Sequence, residues 1–445
     1  MTNLLLNTDS YKASHFLQYP KGTTHVNSYI EARGKADEVK HQGDGNIVHF
    51  GLQMFLDRYL AKPFTLADID EAEELFTAHG EPFNRLGWDL ILNRHGGYLP
   101  VEIESVPEGT CWAPLTPLVQ LRNTDPDFPW LTSYLETALL RAVWYPSTVA
   151  TISRNIKLLI GAYLKDTADN CDGLAFKLHD FGCRGVSSHE SAAAGGLAHL
   201  VNFMGTDTVP ALIAARRHYS APLAGFSIPA SEHSTITAWG RDGEVDAYRN
   251  MLSKFALPGR LVACVSDSYD IYHAAKNIWG KELKDAVLAS GATLVVRPDS
   301  GDPRVVVLAL LEILGERFGF TTNTKGYKVL NPAVRIIQGD GVNYNAIREI
   351  LLGAREKGWS ADNLAFGMGG ALLQQCNRDT YKYAMKASAI KIGGTWYDVY
   401  KDPVTDPGKV SKRGRQTSKH LQTVWKDGSL KRRYTLEQVR ENAKI

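Results

Sequence analysis

A chain of 445 residues has room for about three ordinary domains, or for one large barrel with a further domain added. Its 44% hydrophobic and 22% charged residues suit a soluble globular protein with a sizeable core, and a formal net charge of +2 gives no support to a general nucleic-acid or polyanion binder. The five cysteines (Cys111, Cys171, Cys183, Cys264, Cys376) are scattered and form no C-x-x-C pair, which argues against a disulfide framework or a zinc ribbon and for a reducing compartment.

Leu4, Leu5 and Leu6 precede Asp9 and are too few for a signal-peptide core. No apolar run approaches the roughly 18 residues of a membrane span. A cytoplasmic protein with no membrane or nucleic-acid partner is the expectation. A polar, turn-rich cluster at Asn7–Lys12 opens the chain, and Val26–Arg33 alternates like a half-buried strand. Helical spacing follows over Gly51–Leu60 and Leu66–Ala78. Tyr98–Pro107 and Leu118–Arg122 read as short strands set off by Pro and Gly turns. This mixture predicts an α+β region over residues 1–150.

From Leu131 the pattern changes. Leu131–Trp144 and Thr151–Leu164 predict two amphipathic helices joined near Pro146. Apolar segments then recur about every 30 to 40 residues, with helical stretches between most of them. These are Leu174–Phe181, Leu223–Ile228, Leu261–Val265, Thr293–Val296, Val334–Ile337 and Leu364–Phe366. Alternation of this kind implies βαβ units and a parallel sheet. Without a G-x-G-x-x-G fingerprint, an irregular TIM-like (β/α) barrel over residues 151–385 is favoured over an open dinucleotide-binding sheet. Two further strands, Ala389–Ile392 and Trp396–Tyr400, predict that residues 386–445 pack back on the N-terminal domain. The basic run Lys409–Arg415 is read as a solvated loop.

Each apolar segment ends in polar or glycine-rich residues: Phe181–Gly185, Ser227–His233, Ser266–Ser268, Arg297–Asp299, Gln338–Gly341 and Gly367–Gly370. In a barrel these ends share one face, the face that carries chemistry. Arginine forks match phosphate oxygens, glycine turns admit phosphate to backbone N–H groups, and aspartates suit ribose hydroxyls or Mg2+. A phosphorylated sugar is the substrate class this collection fits. Asp302 is read instead as the cap of a helix beginning at Pro303. His179, His189 and His199 have no metal-ligand spacing and receive no metal role.

In combination the segments are specific. Thr8–Lys12 (TDSYK), His179–Ser188 (HDFGCRGVSS), Asn202–Thr208 (NFMGTDT), Ser231–Trp239 (SEHSTITAW), Val265–Ile271 (VSDSYDI), Arg297–Gly301 (RPDSG), Gln338–Gly341 (QGDG), Leu372–Gln374 with Arg378 and Asp379, and Lys401–Pro403 (KDP) span nearly the whole chain. With these the sequence resembles the nicotinamide phosphoribosyltransferase family, of the type II phosphoribosyltransferases.

The resemblance implies transfer of the 5-phosphoribosyl group from phosphoribosyl pyrophosphate to nicotinamide, in a homodimer with active sites at the subunit interface. It implies that Phe181 and Tyr11 of the partner subunit sandwich the nicotinamide ring, and that Asp207 accepts a hydrogen bond from the carboxamide. Arg184 and Arg297 would hold the diphosphate or pyridine-side groups. Asp299, Gly339 and Asp340 would address the ribose. Gly369, Gly370 and the partner's Arg378 would take the 5′-phosphate. His233 would be phosphorylated by ATP, coupling its hydrolysis to tighter substrate binding, and Asp267 would orient the His233 ring. His233, Asp267 and Asp299 are thus the implied catalytic set, and Mg2+ is expected with both polyphosphates, its ligands unassigned. The sequence departs from the family pattern at Cys183, at His189 and at the Met368–Ala371 turn, which carries less glycine. A nicotinate phosphoribosyltransferase is the nearest rival, opposed by the carboxylate of Asp207. A non-catalytic binding protein on the same scaffold is the other.

Overall fold

The protein, seen in a computed structural model, is described over residues 3–34 and 42–444. Its contacts divide it into two units. The first takes the chain up to Thr151, Ala214–Pro222, and Cys376 to Lys444; the second takes Ile152–Ile213 and Leu223–Gln375.

The first unit is built on a seven-stranded antiparallel sheet in the order Thr395–Asp398, Tyr383–Ile392, Thr23–Ala32, Pro117–Asn123, Val101–Ser105, Gln422–Lys426 and Ser429–Leu430. Thr23–Ala32 sits between an early and a late strand, with Val26 opposite Ile390 and Ser28 opposite Leu121. Its core joins Trp88 and Ile91 of the helix Arg85–His95 to Leu121, Val424 and Trp425 of the sheet. Ala214–Pro222 belongs here because Tyr219 is fully buried, its ring stacked 5.2 Å from Phe50 and its hydroxyl donating to Glu108 at 2.6 Å.

One expectation fails around Pro146. In place of two helices with a joint, a short helix Leu131–Tyr134 is followed by a single 32-residue helix, Glu136–Thr167, with Pro146 inside it. Proline removes the one ladder donor that would reach the Ala142 carbonyl, and the helix runs on through that single missing bond. Thr148 Oγ1 donates to the Trp144 carbonyl at 2.6 Å and Thr151 Oγ1 to the Ser147 carbonyl at 2.7 Å.

The second unit carries a six-stranded parallel sheet, in the order Gly205–Thr206, Leu178–Asp180, Leu364–Met368, Val334–Gln338, Thr293–Arg297 and Leu261–Val265. Both faces are buried, as the β-branched runs require. Val262, Leu294 and Ile336 face one way, while Ala263, Val295 and Ile337 form a small cluster on the other with Phe181, Ile228 and Ala365. Leu223–Ile228, expected as a strand, forms no ladder; Pro222 and Pro229 flank it, Gly225 lies within it, and proline cannot donate to a neighbour. Phe226 makes a single bridge to Gly205 and Ala230 a single bridge to Ala263, so this one segment reaches both edge strands. The expected barrel is therefore met in part: the unit is a mixed α/β fold with a curled parallel sheet, and a regular eight-stranded ladder is absent among the described residues. Asp302 caps the helix Pro303–Phe318, accepting from Val305 N at 2.9 Å, with Pro303 in the first turn. No helix among the described residues is long and apolar enough to cross a membrane.

Candidate active site

Because the six strands run parallel, their C-terminal ends share one edge of the curled sheet, and the polar segments follow from that edge. Phe181 leaves the strand Leu178–Asp180, its N–H donating to the Met368 carbonyl at 3.0 Å. Its ring lies against Gly367 and Gly339. A Cβ on Gly339 would stand 3.2 Å from Phe181 Cε2, 3.4 Å from Asp299 Oδ1 and 3.7 Å from Arg297 Cδ. Phe181, Arg297, Asp299 and Gly339 thus converge. Arg297 Nε is buried with no protein partner among the described residues, a donor available to a ligand. The turn that carries Asp340 is braced by Gln338, whose Nε2 donates to the Asp340 carbonyl at 2.7 Å, leaving the Asp340 side chain exposed.

Asp207 follows the edge strand Gly205–Thr206, its N–H donating to the Asp180 carbonyl at 3.0 Å. Its Oδ1 takes the ring Nε2 of His179 at 3.0 Å and the hydroxyl of Ser227 at 2.5 Å. No bond within the protein is made by Oδ2 among the described residues. Partial burial pushes the Asp207 pKa up, but the His179 bond and charge, the Ser227 hydroxyl and the Arg297 charge outweigh it and hold the carboxyl below its usual range. The result is an ionised acceptor with one oxygen committed and one open.

His233 opens a short helix, His233–Thr237, and its Nε2 bonds Asp267 Oδ1 at 2.9 Å. Its Nδ1 lies 3.7 Å from Asp299 Oδ2. Asp267, with its side chain only 2% exposed, uses its second oxygen to accept from Asp299 N at 3.0 Å and Ser300 Oγ at 2.5 Å. One carboxylate therefore fixes both the histidine and the Arg297–Ser300 turn. With Nε2 as the donor, Nδ1 keeps its lone pair.

Arg184 is exposed on the turn Cys183–Gly185, and a Cβ on Gly185 would stand 3.6 Å from Gly370 N, so this turn adjoins Gly369 and Gly370. Tyr11 and Arg378 belong to the first unit, apart in the chain's division from the other expected site residues. Tyr11 is exposed on Ser10–Leu17, and Arg378 is exposed with Asp379 at 2.9 Å. Sequence reading gave no role to His179, Ser227, Ser300 or Gly367. The alternation of His179 and Phe181 about the buried Asp180 is the one signal that could have placed His179 beside the ring site. Among the described residues no three His, Cys, Asp or Glu side chains are grouped to hold a metal ion.

Residues 176–429 match the model of the nicotinate phosphoribosyltransferase (NAPRTase) family, and residues 3–103 match the nicotinamide phosphoribosyltransferase N-terminal domain. The chain is 54% identical to the nicotinamide phosphoribosyltransferase of Xanthomonas campestris pv. campestris (strain 8004), covering 100% of this chain and 98% of that protein. It is 35% identical to the nicotinamide phosphoribosyltransferase of Mycoplasma pneumoniae (strain ATCC 29342 / M129 / Subtype 1), over 95% of this chain and 97% of the relative. In fold it is similar to the crystal structure of human nicotinic acid phosphoribosyltransferase, with a TM-score of 0.57 at 16% identity, covering 98% of this chain and 92% of that one.

Proposed function

This chain belongs to the nicotinamide phosphoribosyltransferase family, and on that footing we propose that it transfers the 5-phosphoribosyl group of phosphoribosyl pyrophosphate to nicotinamide, forming nicotinamide mononucleotide and pyrophosphate for NAD biosynthesis. The observation that carries the choice of base is Asp207, ionised and with Oδ2 open, on the same sheet edge as the ring of Phe181. A flat π face suits a pyridine ring. An open carboxylate oxygen accepts from a carboxamide NH2 and repels the carboxylate of nicotinate.

The remaining groups fit the sugar and its phosphates. Arg297, with its unpaired Nε, and the exposed Arg184 suit the diphosphate, together with His233. Asp299, Gly339 and Asp340 suit the ribose. The backbone at Gly369 and Gly370, with the partner's Arg378, suits the 5′-phosphate. Holding the substrate at both ends aligns the pyridine nitrogen with C1 as the bond to pyrophosphate breaks. Positioning and charge stabilisation of an oxocarbenium-like centre then supply the rate. Mg2+ enters this reading as part of the polyphosphate substrates, whose charge it neutralises.

The same proposal includes ATP. His233 Nδ1 attacks the γ-phosphorus, the bond to the bridging oxygen breaks, ADP leaves, and water later cleaves the N–P bond to release phosphate. Asp267 supports this by accepting from Nε2 and so holding the lone pair on Nδ1. We read the curled sheet as an irregular TIM-like barrel. We also read the exposed Tyr11 and Arg378 as contributions to the second subunit's site in a cytoplasmic homodimer. The test is incubation of the purified protein with nicotinamide, phosphoribosyl pyrophosphate, Mg2+ and ATP, followed by product analysis. Nicotinamide mononucleotide and pyrophosphate in equal amounts are expected; absence of the mononucleotide would overturn the proposal.

A further inference from the structure

We infer that His179 is the positioning residue that fixes the orientation of the Asp207 carboxyl, and that it thereby sets the discrimination between a carboxamide and a carboxylate on the base. The inference rests on the nicotinamide reading given above.

Three observations carry it. His179 and Phe181 project from the same strand end to the same side, their rings 5.1 Å apart and inclined by 52°. On the other side of the ring lies Gly205, paired with His179 across the parallel bridge; a Cβ there would stand 2.7 Å from His179 Nδ1. The imidazole is thus wedged between an aromatic ring and a glycine, and its Nε2 is delivered to Asp207 Oδ1 at 3.0 Å. With Ser227 on the same oxygen, rotation of the carboxylate would sacrifice two bonds, so Oδ2 is left to face the base.

The charges around the carboxylate single out His179. Asp207 faces His179, the Ser227 hydroxyl and, from the strand Thr293–Arg297, the charge of Arg297. Behind it, Asp180 is committed to Gly182 N and Thr206 Oγ1, and lies fully buried. His199, also fully buried, is pushed down to about 4 by that burial and stays neutral, its ring nitrogens bonded to Ser153 Oγ and the Gly205 carbonyl. Among these groups only His179 both donates to Asp207 and is held in one orientation by its surroundings. Without it, Asp207 Oδ1 keeps only the Ser227 hydroxyl, and a carboxylate free to turn no longer presents one fixed oxygen to the base.

The experiment measures kcat/KM for nicotinamide and for nicotinate in the wild type, His179→Phe and His179→Gln, between about pH 6 and pH 8. In the wild type the ratio is expected to favour nicotinamide and to stay flat across that window. In His179→Phe, which keeps a ring and removes the donor, the ratio should fall about tenfold or more across that window. His179→Gln, whose side-chain amide restores a donor, should stay within about threefold of the wild-type ratio. Should His179→Phe fail to fold, Gly205→Ala displaces the same ring by a different route and should lower the ratio in the same direction. An unchanged ratio in the folded variant, with kcat lowered equally for both bases, would overturn the inference alone. A wild-type preference for nicotinate would overturn the nicotinamide reading and this inference with it.

Discussion

A Cβ on Gly367 would stand 1.9 Å from Cε2 of Phe181, closer than any contact a real side chain makes. Gly367 lies in the strand Leu364–Met368, so it cannot yield without disturbing the ladder with Leu178–Asp180. The aromatic ring must move instead. Gly367→Ala should raise the KM for nicotinamide by about tenfold or more with a smaller effect on the KM for phosphoribosyl pyrophosphate, since the lost contact is the stacking face. Steady-state kinetics with each substrate varied in turn checks this.

The bond between His233 and Asp267 makes a second prediction. Asp267→Asn keeps the shape but weakens the acceptor for both Nε2 and the Arg297–Ser300 turn. Stimulation by ATP should be lost, with some ATP-independent transfer remaining, and acid-labile phosphate on His233 should no longer form. Retained coupling in Asp267→Asn and in His233→Ala would remove the histidine from the mechanism.

The first unit contains a pH-sensitive contact with no part in the chemistry. Glu108 is buried and accepts from Tyr219 at 2.6 Å and from Gln53 N at 2.8 Å; burial, only partly offset by those bonds, pushes it up to about 7. A folded pKa above the unfolded value favours the protonated form. Stability is therefore complete below about pH 4.5 and declines as pH rises through about 7, by roughly 3 kcal/mol for a shift of this size. Glu108→Gln, which mimics the protonated acid, should flatten that part of the dependence of Tm on pH between about 5 and 8. An equal slope in both proteins would contradict it.

Shared sites make a prediction that needs two inactive proteins. Tyr11→Ala removes a residue of the first unit and Asp207→Ala one of the second. Mixed under conditions where subunits exchange, they should regain part of the wild-type activity, because some heterodimers hold one intact site. No recovery despite demonstrated exchange would argue against the interface arrangement.

Much of the second unit could be read from its strands, for a physical reason. Leu261–Val265, Thr293–Arg297 and Val334–Gln338 are buried on both faces and so appear as unbroken apolar runs. Leu223–Ile228 looked alike by composition, but the flanking prolines deny it a ladder. Pro146 misled in the opposite sense, since it lies inside one 32-residue helix that runs on through the single ladder bond it removes. At the site, Arg297 and Asp299 stood out as charges closing an apolar strand. The pairing of His233 with Asp267 spans 34 residues and became visible only through resemblance. His179 and Ser227 acquire their meaning from two strand ends and a bridging segment meeting at Asp207, a relationship that no local pattern encodes.

The most direct test of the account is a competition. Purified protein is given equimolar nicotinamide and nicotinate with phosphoribosyl pyrophosphate, Mg2+ and ATP, and the two mononucleotides are separated and counted. An ionised Asp207 with its Oδ2 facing the base predicts nicotinamide mononucleotide in excess of about a hundredfold. Nicotinate mononucleotide as the main product would contradict the reading of Asp207 and the function built on it.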